Sequence, residues 1–395
     1  MAFKIHPGQV YLDRVLYPAA HCPLLLRSLF SFSASDRLGL QSDLFALWRV
    51  GALPGGFGLL VQFVESFAAA ETELTVWADL TAHLTELGAL LKNSGDGYVK
   101  FADWLSRLYA AALRRLGGWD ARPGEHHSAP ILRGRIVAAL VHWGHEETIR
   151  ECCRRFHAFI VGEATAMAAE GSQLAQLNAS AAAPSASSSD ADAPASSHPS
   201  SLSLLAPDLR DGVYAAVVGF GGALGVEMMR ARYESQRTSG GAREEQVRCL
   251  HALGCIRDRA DLARTLEWAL DCRAEVRTED CSGLIVRAAL NPVGTPETWA
   301  FLRRRWGDVV RTFEGAFCLA KIVGLGAQMS SDAAADEFAA FMKKNKAPSA
   351  ERACRQTVER IRANAKCLAR EEKNIAKVVA ARLTQMKIEQ QQQQQ

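Results

Sequence analysis

The chain has 395 residues, of which 48% are apolar and 23% charged, and its formal net charge is +3. One compact core rarely spans more than about 300 residues, so either two domains or one extended, repetitive structure is expected. So small a charge excludes the dense basic footprint that nucleic acid or an anionic membrane surface would call for.

In chain order, Met1–Pro18 carries Lys4, His6, Gln9, Asp13 and Arg14, too polar for a signal-peptide core. No apolar run reaches the roughly 18 residues of a membrane span. The chain therefore reads as cytoplasmic, with neither nucleic acid nor membrane as partner. Strand signal is confined to Val10–Tyr17. This predicts a short β remnant without a sheet to join, and hence a chain that begins part-way through a larger protein.

Beyond that point apolar residues recur with helical period. Over Asp36–Gly51, Leu40, Leu44, Leu47 and Trp48 fall on one face. Asp36 is placed to act as N-cap and Gly51 to take the left-handed position after the last turn. Further amphipathic stretches cover Glu71–Leu91, Tyr98–Leu116, Ser128–Trp143, Glu146–Ile160, Asp208–Val218, Arg243–Leu253 and Asp261–Leu270. Thr278–Leu290, Pro296–Trp306, Glu314–Leu325, Asp332–Lys344 and a long helix from Ser349 past Leu383 complete the set. Short Gly, Pro and Asp punctuation separates them.

The predicted fold is all-α, a HEAT-like superhelix or solenoid of stacked antiparallel helix pairs whose repeats have diverged. Gly171–Ser203 is dominated by Ser, Ala and Pro, with too little apolar surface to offset ordering entropy. A disordered insertion at about 163–205 is expected inside one helical region, 18–383. The β remnant occupies 1–17. The tail 384–395 ends in Gln390–Gln395, which either remains solvated or prolongs the last helix.

The residues hold no coherent reaction machinery. A metalloprotease helix needs HExxH, with histidines at i and i+4 on one face. The nearest match, His145-Glu146-Glu147-Thr148-Ile149, lacks the second histidine. His142 and His145 read as structural or capping residues. His126 and His127 follow Pro123-Gly124-Glu125 at a turn, and adjacent side chains diverge on a helix, so joint metal binding is not expected. Gly219-Phe220-Gly221-Gly222 lacks the lysine of a phosphate loop and reads as an interhelix turn. The ten cysteines are scattered without a CxxC pair and read as reduced core hydrophobes. On the last helix Cys354, Val358, Ile361, Ala365 and Leu368 form an apolar stripe, while Arg355, Arg362 and Lys366 lie largely on other faces. Those cations read either as a solvated basic face or as a wall for an acidic group such as a peptide carboxylate.

Several phrases in order resemble the C-terminal region of puromycin-sensitive-type zinc aminopeptidases. His6-Pro7-Gly8-Gln9 with Arg14-Val15-Leu16-Tyr17 comes first, then Asp36-Arg37-Leu38-Gly39-Leu40 with Asp43-Leu44-Phe45-Ala46-Leu47. Glu71-Thr72-Glu73, Pro123-Gly124-Glu125, Leu132-Arg133-Gly134 and Asp208-Leu209-Arg210 follow, and Ala347-Pro348-Ser349 with Ile361-Arg362-Ala363-Asn364 closes the series. Asp13, Val226 and Cys367 stand where the family usually has aromatic residues, which suggests looser packing.

The resemblance implies a bowl of helix pairs that covers the active site of a separate catalytic domain and contacts peptide substrate. In the family, the HExxH and GAMEN motifs and the zinc belong to that other domain. No catalytic or metal residue carries over to this chain, which is expected to hold no cofactor and to be inactive alone. Its expected partners are peptides and a separately made or missing catalytic part. The alternative is a stand-alone solenoid that binds peptides or proteins as a scaffold.

Overall fold

A computed structural model describes residues 3–10, 13–181, 205–271, 276–315 and 317–394; for 166–181, Phe317 and 393–394 it describes the backbone alone. The first helices are α1 (Cys22–Arg27), α2 (Ala34–Arg49), α3 (Gly56–Ala70), α4 (Leu74–Leu91), α5 (Asp96–Arg115), α6 (Ala129–His142), α7 (Glu146–Ala181) and α8 (Arg210–Phe220). The remainder are α9 (Gly222–Thr238), α10 (Arg243–Leu253), α11 (Arg259–Asp271), α12 (Thr278–Leu290), α13 (Gly294–Phe313), α14 (Phe317–Gly324), α15 (Asp332–Lys344) and α16 (Glu351–Gln394).

The helices stack as the periodicity predicts. α2, α4, α6, α8, α10, α12 and α14 each pack against the next to form one layer, while α3, α5, α7, α9, α11 and α13 back them. α16 lies along α14 and α15 and then returns to α3, α4 and α5, so the last helix closes the arc onto the first pairs. A single apolar core runs through both layers and includes the fully buried Trp48, Trp77, Trp104, Tyr109 and Tyr214.

Stacked helices bury their C-terminal carbonyls, which lack intrahelical donors. Here a cation or amide from another element supplies the missing donors at end after end. Arg115 donates to Ala68 O in the last turn of α3 and to Glu71 O just past it, and Arg133 to Leu116 O and Gly118 O beyond α5. Arg257 donates to Val141 O and His142 O of α6, and Asn291 to Gly254 O and Ile256 O beyond α10. Lys92 covers the end of α12, and Arg370 donates to Trp48 O and Arg49 O of α2. Cations at these ends also oppose the negative pole of the helix dipole.

Three expectations need correction. No strand occurs among the described residues, so the β remnant is absent from 13–17. With no neighbouring strand there, the segment bonds to side chains: Ile5 N donates to the Tyr17 hydroxyl at 2.9 Å and Val15 N to Asp43 Oδ2 at 3.2 Å. The cap of α2 is Ser33, whose hydroxyl accepts from Asp36 N at 3.2 Å. Asp36 instead holds the N-terminal segment, accepting from Gly8 N at 2.8 Å and pairing with Lys4 at 3.1 Å. Finally, α7 extends well past Ile160 to Ala181, so the helix includes part of the stretch expected to be disordered. The rest of that stretch, 182–204, lies outside the described residues.

Gly51 takes the expected left-handed conformation, with φ of 80° after α2. Of Gly219–Gly222, only Gly221 lies between the helices, since Gly219 and Phe220 end α8 and Gly222 begins α9. α3 and α9 escaped the sequence reading because glycines at their starts resemble loop punctuation. The helix of the tail continues through Gln394.

Candidate functional site

The stacked inner helices enclose a cavity of about 650 Å³. Its walls come from α4, α6, α8, α10 and α12, and the C-terminal ends of α6, α10 and α12 meet at one end of it. Small residues on the inner faces (Ala78, Ala82, Gly134, Ala138 and Ala215) leave the space open. Gly134 has a specific reason: a Cβ there would sit 1.9 Å from the backbone oxygen of Asp208, so only glycine lets the start of α8 approach α6.

Charge is unevenly distributed along the lining. Arg135, Arg257, Arg287 and His142 contribute to the walls, and Arg248 is tied to Asp211 at 3.3 Å. Among the described residues Arg135 and Arg287 are exposed and make no ion pair. Arg257 stacks over Phe220, with 4.3 Å from Cζ to the ring centroid. Burial pushes the imidazole of His142 down to about 3, and the nearby Arg257, Lys92 and Arg287 add repulsion. His142 is thus neutral at physiological pH, a hydrogen-bonding group beside three cations. On the other side, Glu86 lines the cavity while pairing with Arg49 at 2.7 Å and Arg360 at 2.9 Å.

The cations proposed from the sequence fall elsewhere. Arg355, Arg362 and Lys366 are all exposed and none lines this cavity. Arg355 pairs with Glu351 at 2.9 Å and Arg362 with Asp336 of α15 at 3.0 Å. Sequence reasoning missed Arg135, Arg257 and Arg287. No signal could have separated them, because the polar face lining a cavity has the same periodicity as a polar face turned to bulk water.

The other histidines find local roles. His145 caps α7: the Thr148 amide and hydroxyl both meet its Nδ1, at 3.3 and 2.8 Å. The amide can only donate, so Nδ1 accepts here, consistent with burial pushing the imidazole pKa down. His126 and His127 lie outside any helix, after the Pro123–Gly124 turn, and their rings do not diverge. Their centroids lie 4.1 Å apart. Among the described residues no three His, Cys, Asp or Glu side chains converge to hold a metal ion. Among the described residues, the cysteines at 22, 152, 249, 281 and 367 are buried. No described helix is long and apolar enough to cross a membrane.

Residues 3–170 and 168–363 match the ERAP1-like C-terminal domain. The chain belongs to that family. Aminopeptidase M1-A of Oryza sativa subsp. japonica is 28% identical over 357 residues, 88% of this chain and 35% of the rice protein. Aminopeptidase M1 of Arabidopsis thaliana is 25% identical over 359 residues, 89% of this chain and 35% of its own length. Puromycin-sensitive aminopeptidase of Caenorhabditis elegans is 27% identical over 164 residues, which is 40% of this chain and 16% of the nematode protein. The chain thus spans about a third of the plant relatives it matches along most of its length. It is a C-terminal domain of M1 aminopeptidases, built as an all-α solenoid.

Proposed function

We propose that this ERAP1-like domain is the substrate-chamber wall of a cytoplasmic aminopeptidase of the puromycin-sensitive type, which removes N-terminal residues from peptides. The observation that carries this reading is the cavity on the inner face, with Arg135 and Arg287 free of ion-pair partners among the described residues. Unpaired guanidinium groups beside small apolar residues suit a peptide: the side chains and backbone fit the neutral walls, and the carboxylate end finds a planar donor fork. Bond cleavage and zinc belong in this reading to a separate catalytic part. The described residues offer no metal-ligand set, so no reaction step is assigned to them.

The test has two arms. The purified chain with added zinc should not hydrolyse aminoacyl-aminocoumarin substrates, and robust zinc-dependent turnover would overturn the division of labour. Fluorescein-labelled peptides with free C-termini should bind, with affinity lowered several-fold by C-terminal amidation and by the R135A/R287A pair. Binding indifferent to both changes would overturn the cavity assignment. Tight binding of folded proteins with no peptide affinity would favour the stand-alone scaffold instead.

A further inference from the structure

A second cleft, of about 510 Å³, shares no lining residue with the cavity of the inner layer. α5 and α7 form its sides, Leu140 of α6 lies at its floor, and Trp119 stands in the connection between α5 and α6. Leu113 and Leu140 are buried and give it an apolar base.

The polar side of this cleft holds donors without acceptors. The Thr148 amide donates to His145 Nδ1, so the ring carries its own proton on Nε2. Neither that Nε2–H nor the Trp119 Nε1–H has an acceptor among the described residues, and both residues line the cleft. Arg155 stacks on the Trp119 ring, 5.0 Å from Cζ to the centroid, and holds the indole in place. Arg114 of α5 and Arg150 of α7 are exposed and make no ion pair among the described residues.

The carboxylates nearby do not cancel these cations. Glu151 is held by Arg154 at 2.6 Å and by Arg155 at 2.7 Å, and Asp120 pairs with Arg155 at 3.0 Å. Besides burial, the charges of Glu147 and Arg114 both act on the His145 ring, so both groups lie near it. Glu147 is thus the lining carboxylate that no arginine holds, against two guanidinium groups that no carboxylate holds. The amides of the first turn of α7 are not part of the recognition, since His145 already takes that of Thr148.

We propose that this cleft is a binding site for a small carboxylate carried on an apolar group. The carboxylate would take the donor forks of Arg114 and Arg150 and the Nε2–H of His145, while the apolar group lies on Leu113 and Leu140 beside Trp119. Both halves of the ligand are needed: a bare anion leaves the apolar base wet, and a neutral molecule leaves the guanidinium groups without a charged acceptor. The site is independent of peptide binding in the inner cavity.

Isothermal titration of the full chain with 3-phenylpropionate tests this. Binding should saturate in the low-millimolar range or below, as suits so small a ligand. Acetate, which lacks the apolar group, and 3-phenylpropionamide, which lacks the charge, should each bind about tenfold more weakly or worse. R114A/R150A should weaken 3-phenylpropionate binding by a similar factor. H145N keeps a side-chain oxygen that can cap α7 but loses the Nε2–H, so it should lower affinity several-fold with little change in Tm. R135A/R287A, in the inner cavity, should leave this affinity unchanged. Absence of saturable binding, equal affinity for acetate or for the amide, unchanged affinity in either cleft variant, or loss of binding in R135A/R287A would overturn the proposal.

Discussion

The guanidinium of Arg37 grips the carboxylate of Glu71 at two points, Nε to Oε2 at 2.7 Å and Nη2 to Oε1 at 2.8 Å, with the Glu71 side chain fully buried. This pair joins α2 to the entry of α4, where Glu71 Oε1 also accepts from the Thr72 and Glu73 amides. The Glu71 carbonyl takes bonds from Trp77 Nε1 and Arg115. A buried carboxylate with this many donors fixes the angle at which the first helix pair starts the stack. Removing one partner strands the other in the core, so Glu71→Ala or Arg37→Ala should destabilise the chain by about 3–5 kcal/mol. The double replacement Arg37→Met with Glu71→Leu should recover most of that loss in urea denaturation. A single variant with unchanged midpoint would refute the structural role of the pair.

Gly134 makes a steric prediction. Its missing Cβ would lie 1.9 Å from Asp208 O and 2.8 Å from Asp208 C, both backbone atoms that cannot swing aside. Gly134→Ala should therefore destabilise by about 1–3 kcal/mol through forced separation of α6 and α8. It should also change the cavity wall, seen as altered exchange of the α8 amides. An intact Tm with unchanged exchange would show that α8 is free to shift.

A buried network around Glu245 makes an acid-side prediction. Glu245 pairs with Arg232 at 2.8 Å and Arg210 at 3.1 Å, and bonds the hydroxyl of Tyr214. Burial acts to raise its pKa, but the Tyr214 and Arg232 hydrogen bonds and the two positive charges outweigh it, leaving the carboxylate below its ordinary value. A depressed folded-state pKa means that the unfolded chain takes up the proton first. The stabilisation is therefore complete above the ordinary glutamate range near 4.5 and is lost as pH falls through the lower folded value. Wild-type stability should decline steeply below about pH 4.5, and Glu245→Gln should flatten that decline while lowering stability at pH 7. Superimposable acid limbs in thermal melts would contradict this assignment.

The two sets of cations can be compared in one binding series. Arg362→Ala with Lys366→Ala removes charges from a solvent-facing part of α16, and peptide affinity should change by less than about 0.5 kcal/mol. Arg135→Ala with Arg287→Ala removes charges from the cavity and should weaken binding and flatten its salt dependence. The reverse ranking, measured by fluorescence anisotropy, would return the peptide to the outer face of α16.

α16 is the seam that closes the arc. Arg382 pairs with Glu65 of α3 at 2.8 Å, Arg370 covers the end of α2, and Ile361, Cys367, Ile375 and Val379 are buried. Ile375→Ala should destabilise by about 2–5 kcal/mol, since it opens a void between α16 and the early helices. Exchange should then rise in α3 and α5 as well as in α16. A rise confined to α16 would mean that the seam is not cooperative with the first pairs.

Much of the architecture was already legible in the residues. Helical periods over Arg243–Leu253, Thr278–Leu290 and Asp332–Lys344 match α10, α12 and α15 end for end, because the apolar stripe lies within each segment and Gly254, Asn291-Pro292 and Asn345 follow immediately as stop signals. Family membership was legible for a similar reason: ordered phrases such as Asp36-Arg37-Leu38-Gly39-Leu40 and Leu132-Arg133-Gly134 are local. Their purposes were not. Asp36 looked like a helix cap and proved to anchor Gly8 and Lys4, and Gly134 looked ordinary until Asp208 was seen against it. Periodicity reports which face of a helix is polar, a property of neighbours three or four residues apart. Whether that face meets water, a cavity or a partner some 200 residues away, as Lys92 does, depends on how the helices stack and was decided only by the tertiary structure.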